Sequence, residues 1–384
     1  MVARISIQKT PYFSWRCGKL AEGCRLCVKG QKLVLFVTGL CPRDCWYCPL
    51  AETKKNKDTV WADEWKVGSE DDAVREAELI DAKGASLTGG DPFCRLDRSV
   101  SLVKLLKKRF GKEFHIHMYA PMELLTSARL SKLHKAGVDE IRLHPDLYSK
   151  KGWEKIKLVT RFEWDIGVEI PVIPGMKQLY LKLIRSFKDS ISFLNLNELE
   201  ISDTNMDEML KRGFRTKDEL SYAVRGSQEL AFELMRHCRK HAPGLKVHYC
   251  TTKLKDKVQL ANRIKRRARN VKKKFDIITD EGMLYRGSVY LERPGVGYRR
   301  KLERLGEKKR HELLNNLVLL RKRIIKKHCV PAELIVVDRK KLRLLTSVPV
   351  AEELAEELKQ KGLAPALVEE YPTWDQMELS VEFL

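Results

Sequence analysis

Three thiols fall within one eight-residue stretch, Cys41-Pro-Arg-Asp-Cys45-Trp-Tyr-Cys48, with the spacing C-x3-C-x2-C. Three thiolates on one short loop can each take one iron of a cubane iron–sulfur cluster, which leaves the fourth iron without a protein ligand. An open metal position is a place where a substrate can coordinate. Structural zinc asks instead for four closed ligands, usually as two pairs. The triplet therefore points to a cluster with an open edge.

A second group, Cys17, Cys24 and Cys27 (C-x6-C-x2-C), lies just upstream, so six of the ten cysteines fall within residues 17–48. Such clustering in a chain without secretory features points to metal. Two readings stand: a zinc staple for the N-terminal segment, or a second iron–sulfur cluster near the substrate. Cys27 precedes the first strand and Cys41 follows it. A strand of about seven residues separates those levels by roughly 20 Å, which favours the staple. Cys250 and His248 share one face of a later strand and are the candidate catalytic pair. Cys94 also follows a strand end. His115 and His117 share a face, as do Glu140, Arg142 and His144, and Glu198, Glu200 and Ser202 extend the set. If these faces are interior they make a polar lumen suited to a ribose, a carboxylate or a polar substrate.

The elements that must position these groups alternate. Strand-like runs at residues 32–39, 85–88, 113–119, 139–144, 165–173, 194–202 and 245–250 are separated by helical segments, among them 69–83, 99–110, 124–136 and 227–241. The pattern predicts an α/β domain, a partial or full (β/α) barrel whose chemistry sits at the strand C-termini. An open doubly wound sheet fits less well, because no G-x-G-x-x-G turn follows the first strand. After about residue 274 two strands, a long basic helix and further short elements predict a small α+β domain. The expected division is a cysteine-containing segment (1–31), the barrel (32–274) and the C-terminal domain (275–384).

Gly89-Gly90-Asp91-Pro92 closes the second strand, 41 residues after Cys48. Together with the cysteine triplet it resembles the signature of the radical S-adenosylmethionine (SAM) superfamily. The likeness covers roughly residues 33–250. The glycines and the acidic residue resemble that family's Gly-Gly-Glu-Pro motif, with Asp in place of Glu. The resemblance implies a [4Fe–4S] cluster on Cys41, Cys45 and Cys48. It also implies S-adenosyl-L-methionine (SAM) held by Gly89, Gly90 and Asp91, with Tyr47 against adenine. Residues 169–175 (EIPVIPG) resemble the fifth-strand segment beside adenine in enzymes related to pyruvate formate-lyase activase, which brings in Val172; Arg142 is the lumen residue expected to reach SAM. The whole chain is similar to a largely archaeal, little-characterised group related to that activase. The implied chemistry is reductive cleavage of SAM to a 5′-deoxyadenosyl radical, with electrons from a donor such as ferredoxin or flavodoxin.

Composition narrows the rest. The 384 residues are 33% charged and carry 74 Lys+Arg against 52 Asp+Glu, a formal charge of +22. The charge is densest in residues 253–274, 298–310 and 321–327, without aromatic interleaving, which fits phosphate contact better than base readout. RNA, tRNA in particular, is therefore the first expected substrate. A protein glycine and a small metabolite or cofactor precursor are the rivals. The longest apolar run, residues 33–40, is too short to span a bilayer, and no secretory signal is evident. The expectation is a cytoplasmic protein with no membrane partner.

Overall fold

The computed structural model describes residues 6–384. It comprises two compact units, Met1–Arg263 and Ile264–Leu384. The division falls inside the helix Ala261–Val271 rather than at residue 274, and the N-terminal cysteine segment belongs to the first unit.

The first unit contains β1 (Gln8–Lys9), β2 (Trp15–Cys17), β3 (Lys32–Phe36), β4 (Trp61–Ala62), β5 (Trp65–Lys66), β6 (Gly84–Thr88), β7 (His115–Pro121), β8 (Glu140–His144), β9 (Asp165–Val172), β10 (Phe193–Glu198) and β11 (Lys246–Cys250). Seven of them run parallel in the order β3-β6-β7-β8-β9-β10-β11. β4 and β2 flank this set in the antiparallel sense. The two ends of the sheet are not paired with each other among the described residues, so the architecture is a partial barrel. Its helices are α1 (Glu22–Val28), α2 (Glu70–Leu79), α3 (Leu96–Phe110), α4 (Ser127–Ala136), the short α5 (Ile156–Val159), α6 (Lys177–Phe187), α7 (Met206–Lys211) and α8 (Ser227–His241). Local chemistry sets their ends. α2 opens on a capping box between Ser69 and Asp72, and α4 on the Thr126 hydroxyl, while Gly137 closes α4 in the left-handed conformation. Strand residues that point outward, such as Leu35, Leu87, Met118, Ile141 and Leu196, join the helices in one large core.

The second unit is an antiparallel sheet of β12 (Ile277–Ile278), β13 (Leu284–Tyr290), β14 (Ile335–Asp338), β15 (Arg343–Thr346), β16 (Ala364–Glu370) and β17 (Glu378–Phe383). Their order is β14-β15-β13-β16-β17, with β12 on β13. The helix Glu307–His328 packs over the β14–β15 side through Leu317 and Ile324. Arg343 is fully buried in this unit and bonds to Asp338 at 2.9 Å, Glu370 at 2.5 Å and the Tyr290 hydroxyl at 2.9 Å.

The floor of the barrel is where sequence patterning was least informative. α1 lies across the N-terminal ends of the strands. The Gly23 amide donates to Glu140 Oε2 at 3.1 Å, and the Asn262 amide reaches the Val28 carbonyl at 2.7 Å. Above α1, Arg142 spans the lumen, bonding to Glu140 at 2.6 Å and to Glu169 at 2.7 Å. Asn195 donates to the same Glu169 oxygen as Arg142, at 2.9 Å, and Asn197 to the other, at 3.0 Å. Burial is the largest single influence on both carboxyls and acts to raise them. Arg142 together with His115 and the Gly23 amide at Glu140, and together with the two asparagines at Glu169, outweighs it and holds each at about 2.

Two outcomes follow for folding. A Cβ on Gly23 would sit 2.4 Å from His117 Nδ1 and 2.6 Å from Arg142, so Gly23→Ala lifts α1 off the floor. The expected loss is about 1–3 kcal/mol by denaturant titration, against little change for Gly244→Ala, where no atom lies within 4 Å. Arg142→Met leaves two buried carboxylates without their cation and costs about 3–5 kcal/mol near neutral pH. In the wild type the depressed carboxyls stabilise the fold above their unfolded pKa of about 4.3, and that contribution is lost as pH falls towards 2. In the variant burial dominates, so the defect must shrink as pH drops from 8 to 5; a pH-independent defect contradicts the assignment.

Candidate active site

The C-terminal ends of the parallel strands open into a cavity of about 270 Å³. Cys41, Cys45 and Cys48 all line it, on the irregular loop that leaves β3. Ion pairs and hydrogen bonds fix that loop. Thr38 and Arg98 both reach Asp58, at 2.9 and 2.7 Å, which ties the returning chain to β3 and α3. Arg43 bonds to Glu123 at 2.7 Å and to the His144 carbonyl at 2.7 Å, which ties the middle of the loop to β7 and β8. Burial pushes the Cys41 thiol up to about 11, with a partly opposing hydrogen bond from the Arg43 amide. Burial also raises Cys45, against the nearby Tyr47 hydroxyl and the charge of Arg43. Buried thiols of this kind become thiolates when a metal takes the place of the proton.

Gly89 and Gly90 line the same cavity. Their backbone is knitted to the start of the cysteine loop, with Gly90 N–H donating to Thr38 O and Asp91 N–H to Leu40 O, both at 2.8 Å. A Cβ would meet Thr38 O at 2.3 Å from Gly89 and Leu40 O at 2.5 Å from Gly90, so only glycine permits this approach. Asp91 is fully buried and does not line the cavity. Its Oδ1 accepts from the Phe93 amide at 2.8 Å, capping the turn Pro92–Arg95. Its Oδ2 has no partner, and burial pushes the carboxyl up to about 6. The shorter side chain is thus spent on the turn, with one oxygen left over beside the cysteine loop.

Tyr47 and His144 are neighbours on the cavity wall. His144 Nδ1 lies 2.9 Å from the Glu169 carbonyl, so it carries the proton, and Nε2 accepts from the Tyr47 hydroxyl at 3.2 Å. On β9 it is Glu169 and Pro171 that line the cavity, while Val172 is fully buried in the main core. The expectation for Val172 is corrected by the alternation of the strand, which sends it outward. Arg142 does not line this cavity; it is committed to the floor beneath it. On β10 the inward residues are Asn195 and Asn197, rather than the expected run through Glu198, Glu200 and Ser202. Glu198 and Glu200 sit at the rim, bonded to the Thr252 amide at 2.9 Å and to Lys255 at 3.3 Å.

A second, inner cavity of about 180 Å³ lies next to the first; the two share Thr88, Tyr119, Glu169, Asn197 and Lys255. Cys24, Cys27, His248 and Cys250 line it. Cys17 does not join them. It pairs with Val247 on β11 and so shares the outward face, where it is 2% exposed in the main core. His248 Nε2 lies 3.3 Å from Ser14 Oγ, and burial lowers its pKa to about 4, which keeps it neutral. Cys250 is raised by burial. Cys94 sits on the turn after β6 and lines neither cavity. Lys255 and Gln259, on the helical segment after β11, complete the inner wall. Sequence spacing gave no sign of them, although π-helical hydrogen bonding, as in Lys255–Leu260, often marks functional segments.

The sequence matches known proteins. Residues 35–169 match the model of the radical SAM superfamily, and residues 318–383 match a domain of unknown function. A Methanocaldococcus jannaschii protein that carries the name of a glycyl-radical enzyme activating enzyme is 42% identical over 290 residues, covering 73% of this chain and 76% of that protein. Among solved structures, Streptococcus suis SuiB bound to S-adenosylmethionine is 13% identical over 58% of this chain and 50% of its own, with a TM-score of 0.39. This chain thus spans half the length of SuiB. Methylornithine synthase is 15% identical over 53% of this chain and 62% of its own, with a TM-score of 0.37. No helix among the described residues is long and apolar enough to cross a membrane. With a relative this similar over most of its length, and with the cysteine loop and glycine pair inside the matched region, the chain belongs to the radical SAM superfamily and is an enzyme of that class.

Proposed function

We propose that the outer cavity is the place where this enzyme cleaves SAM. The observation that carries the reading is that Cys41, Cys45 and Cys48 line one cavity with Gly89, Gly90 and Tyr47, at the C-terminal ends of the parallel strands. The donor set fits: three thiols and no fourth cysteine on the loop, with the unpartnered Asp91 Oδ2 next to it. Cys41, Cys45 and Cys48 would hold a [4Fe–4S] cluster, which with SAM supplies one-electron cleavage of the sulfonium and a 5′-deoxyadenosyl radical.

The chain's own groups do the rest. The backbone of Gly89 and Gly90 leaves the methionine end of SAM room against the cysteine loop, and Asp91, buried behind them, fixes the turn that holds the pair. Tyr47, oriented by His144, presents its ring to the adenine side. Arg43 and Asp58 keep the loop closed, which excludes water from a reactive intermediate. The substrate then meets the polar groups Tyr119, Glu169, Asn197 and Lys255 at the junction of the two cavities. The electron donor we infer is a ferredoxin or flavodoxin, and the ten free cysteines suit a reducing cytoplasm.

For the substrate two readings each have an observation behind them. Residues 264–328 hold 21 Lys+Arg and 7 Asp+Glu, and Lys322, Arg323 and Lys326 are exposed on the helix Glu307–His328, which favours an RNA. The M. jannaschii relative's name favours a glycine in a partner protein. A small metabolite has no comparable support.

Anaerobically reconstituted protein, given dithionite and SAM, is expected to release 5′-deoxyadenosine and methionine; the Cys41→Ala/Cys45→Ala/Cys48→Ala protein is expected to release neither. Cleavage that survives the triple change contradicts the site. For RNA, affinity is expected to fall steeply with salt, with a log–log slope that loses about one unit for each phosphate contact removed. Neutralising Lys322, Arg323 and Lys326 should flatten that slope. Arg267 is unsuited to this test, since it is buried and donates to the Pro372 carbonyl. A salt slope near zero contradicts the RNA reading and leaves the protein glycine.

A further inference from the structure

The inner cavity regroups the upstream cysteines. Cys24 and Cys27, three residues apart on α1, share one helix face. Cys250 is the last residue of β11 and lies more than 200 residues later in the chain. All three line the same space, whereas Cys17 faces the core on the other side of the sheet. Three thiols brought together from two distant segments are a different matter from a sequence-local motif.

Their surroundings are those of sulfur ligands. Cys24 Sγ accepts from Arg142 Nη2 at 3.4 Å and from Asn195 Nδ2 at 3.2 Å. Gln259 Nε2 is directed at Cys250 Sγ from 3.9 Å. Such donors to sulfur tune and stabilise thiolates bound to metal. Lys32 lines the cavity, is 5% exposed and has the neutral His117 at 3.4 Å as its hydrogen-bond partner, so its charge faces space that suits an anionic occupant. His248 lines the same space, and its Nδ1 is buried without a partner.

Spacing bears on what kind of metal fits. Among the described residues, only His115, His117 and Glu140 bring three ligating atoms within 4.8 Å of one another. Thiolates that share a zinc ion at about 2.3 Å each lie no more than about 4.6 Å apart. As placed, the Sγ atoms of Cys24, Cys27 and Cys250 do not all lie within 4.8 Å of one another, and neither do those of Cys41, Cys45 and Cys48. A cubane cluster distributes its thiolates over separate irons. The His115, His117 and Glu140 group is poorly suited to a cation, because Arg142 already holds Glu140 at 2.6 Å.

We propose that Cys24, Cys27 and Cys250 hold a second iron–sulfur cluster, at the floor of the lumen and next to the SAM cavity. It replaces the zinc staple expected for Cys17, Cys24 and Cys27. Because the two cavities share five lining residues, a substrate at their junction touches both sites. The assignment is read from metal content and does not rest on SAM cleavage.

The test is iron and acid-labile sulfide per chain after anaerobic reconstitution of the full-length protein, with electron paramagnetic resonance of the reduced form. Wild type is expected to hold roughly eight irons, as two cubanes, and the Cys41→Ala/Cys45→Ala/Cys48→Ala protein roughly four. Cys250→Ser should lose roughly half of the iron, whereas Cys17→Ser should lose none. Should Cys250→Ser fail to fold, the outer triple variant decides alone. Wild type with only about four irons, an outer triple variant with none, or one zinc per chain in place of the second set overturns the proposal.

Discussion

A buried guanidinium organises the lumen of this barrel. Arg142 is 2% exposed, and it can be there only because Glu140 and Glu169 neutralise it from both sides. Isolated charges of this kind are expelled from protein interiors. Once the trio is in place, the remaining polar positions are dictated. Glu140 takes the Gly23 amide and so fixes α1 across the floor; Glu169 takes Asn195, Asn197 and the Tyr119 hydroxyl and so fixes the wall between the two cavities. The carbonyl of the same Glu169 sets the tautomer of His144, which in turn orients Tyr47 within the cysteine loop. A structural ion pair on the floor is thus linked, bond by bond, to a side chain in the outer site.

This is why Arg142, expected from sequence to contact SAM, is a positioning residue instead. Four of its five donors are spent on Glu140, Glu169, Tyr119 and Cys24. The inward face of β8 was legible, since Glu140, Arg142 and His144 alternate with Ile141 and Leu143. What the alternation does not reveal is which of the three reaches the cavity, because that depends on height along the strand.

The parallel strands were legible because each is a short apolar run bounded by turn residues, and the helix Ser227–His241 and the strand Ala364–Glu370 agree in both bounds or nearly so with the sequence pattern. The grouping of the cysteine loop with the glycine pair was legible for a different reason: three thiols share one short loop, and two glycines permit a backbone approach that no other residue allows. The misses share a cause as well. α1 has only seven residues, too few to show a helical period, so the return of Cys24 and Cys27 into the lumen left no trace in the sequence. The inward set on β10 was displaced by one residue, and a slip of one turns every side chain to the other face. Cys17 and Cys250 were separated by a strand pairing, β2 on β11, that no local pattern specifies. Contacts between distant segments decide these cases.

The central claim is that Cys41, Cys45 and Cys48 present one iron to SAM. The most direct measurement is anomalous iron scattering from crystals of the anaerobically reconstituted protein with SAM bound. The account predicts an iron peak bounded by these three thiols, with the methionine end of SAM on its open side against Gly89 and Gly90. Iron retained elsewhere while the three thiols stand free, or SAM bound away from that peak, would contradict it.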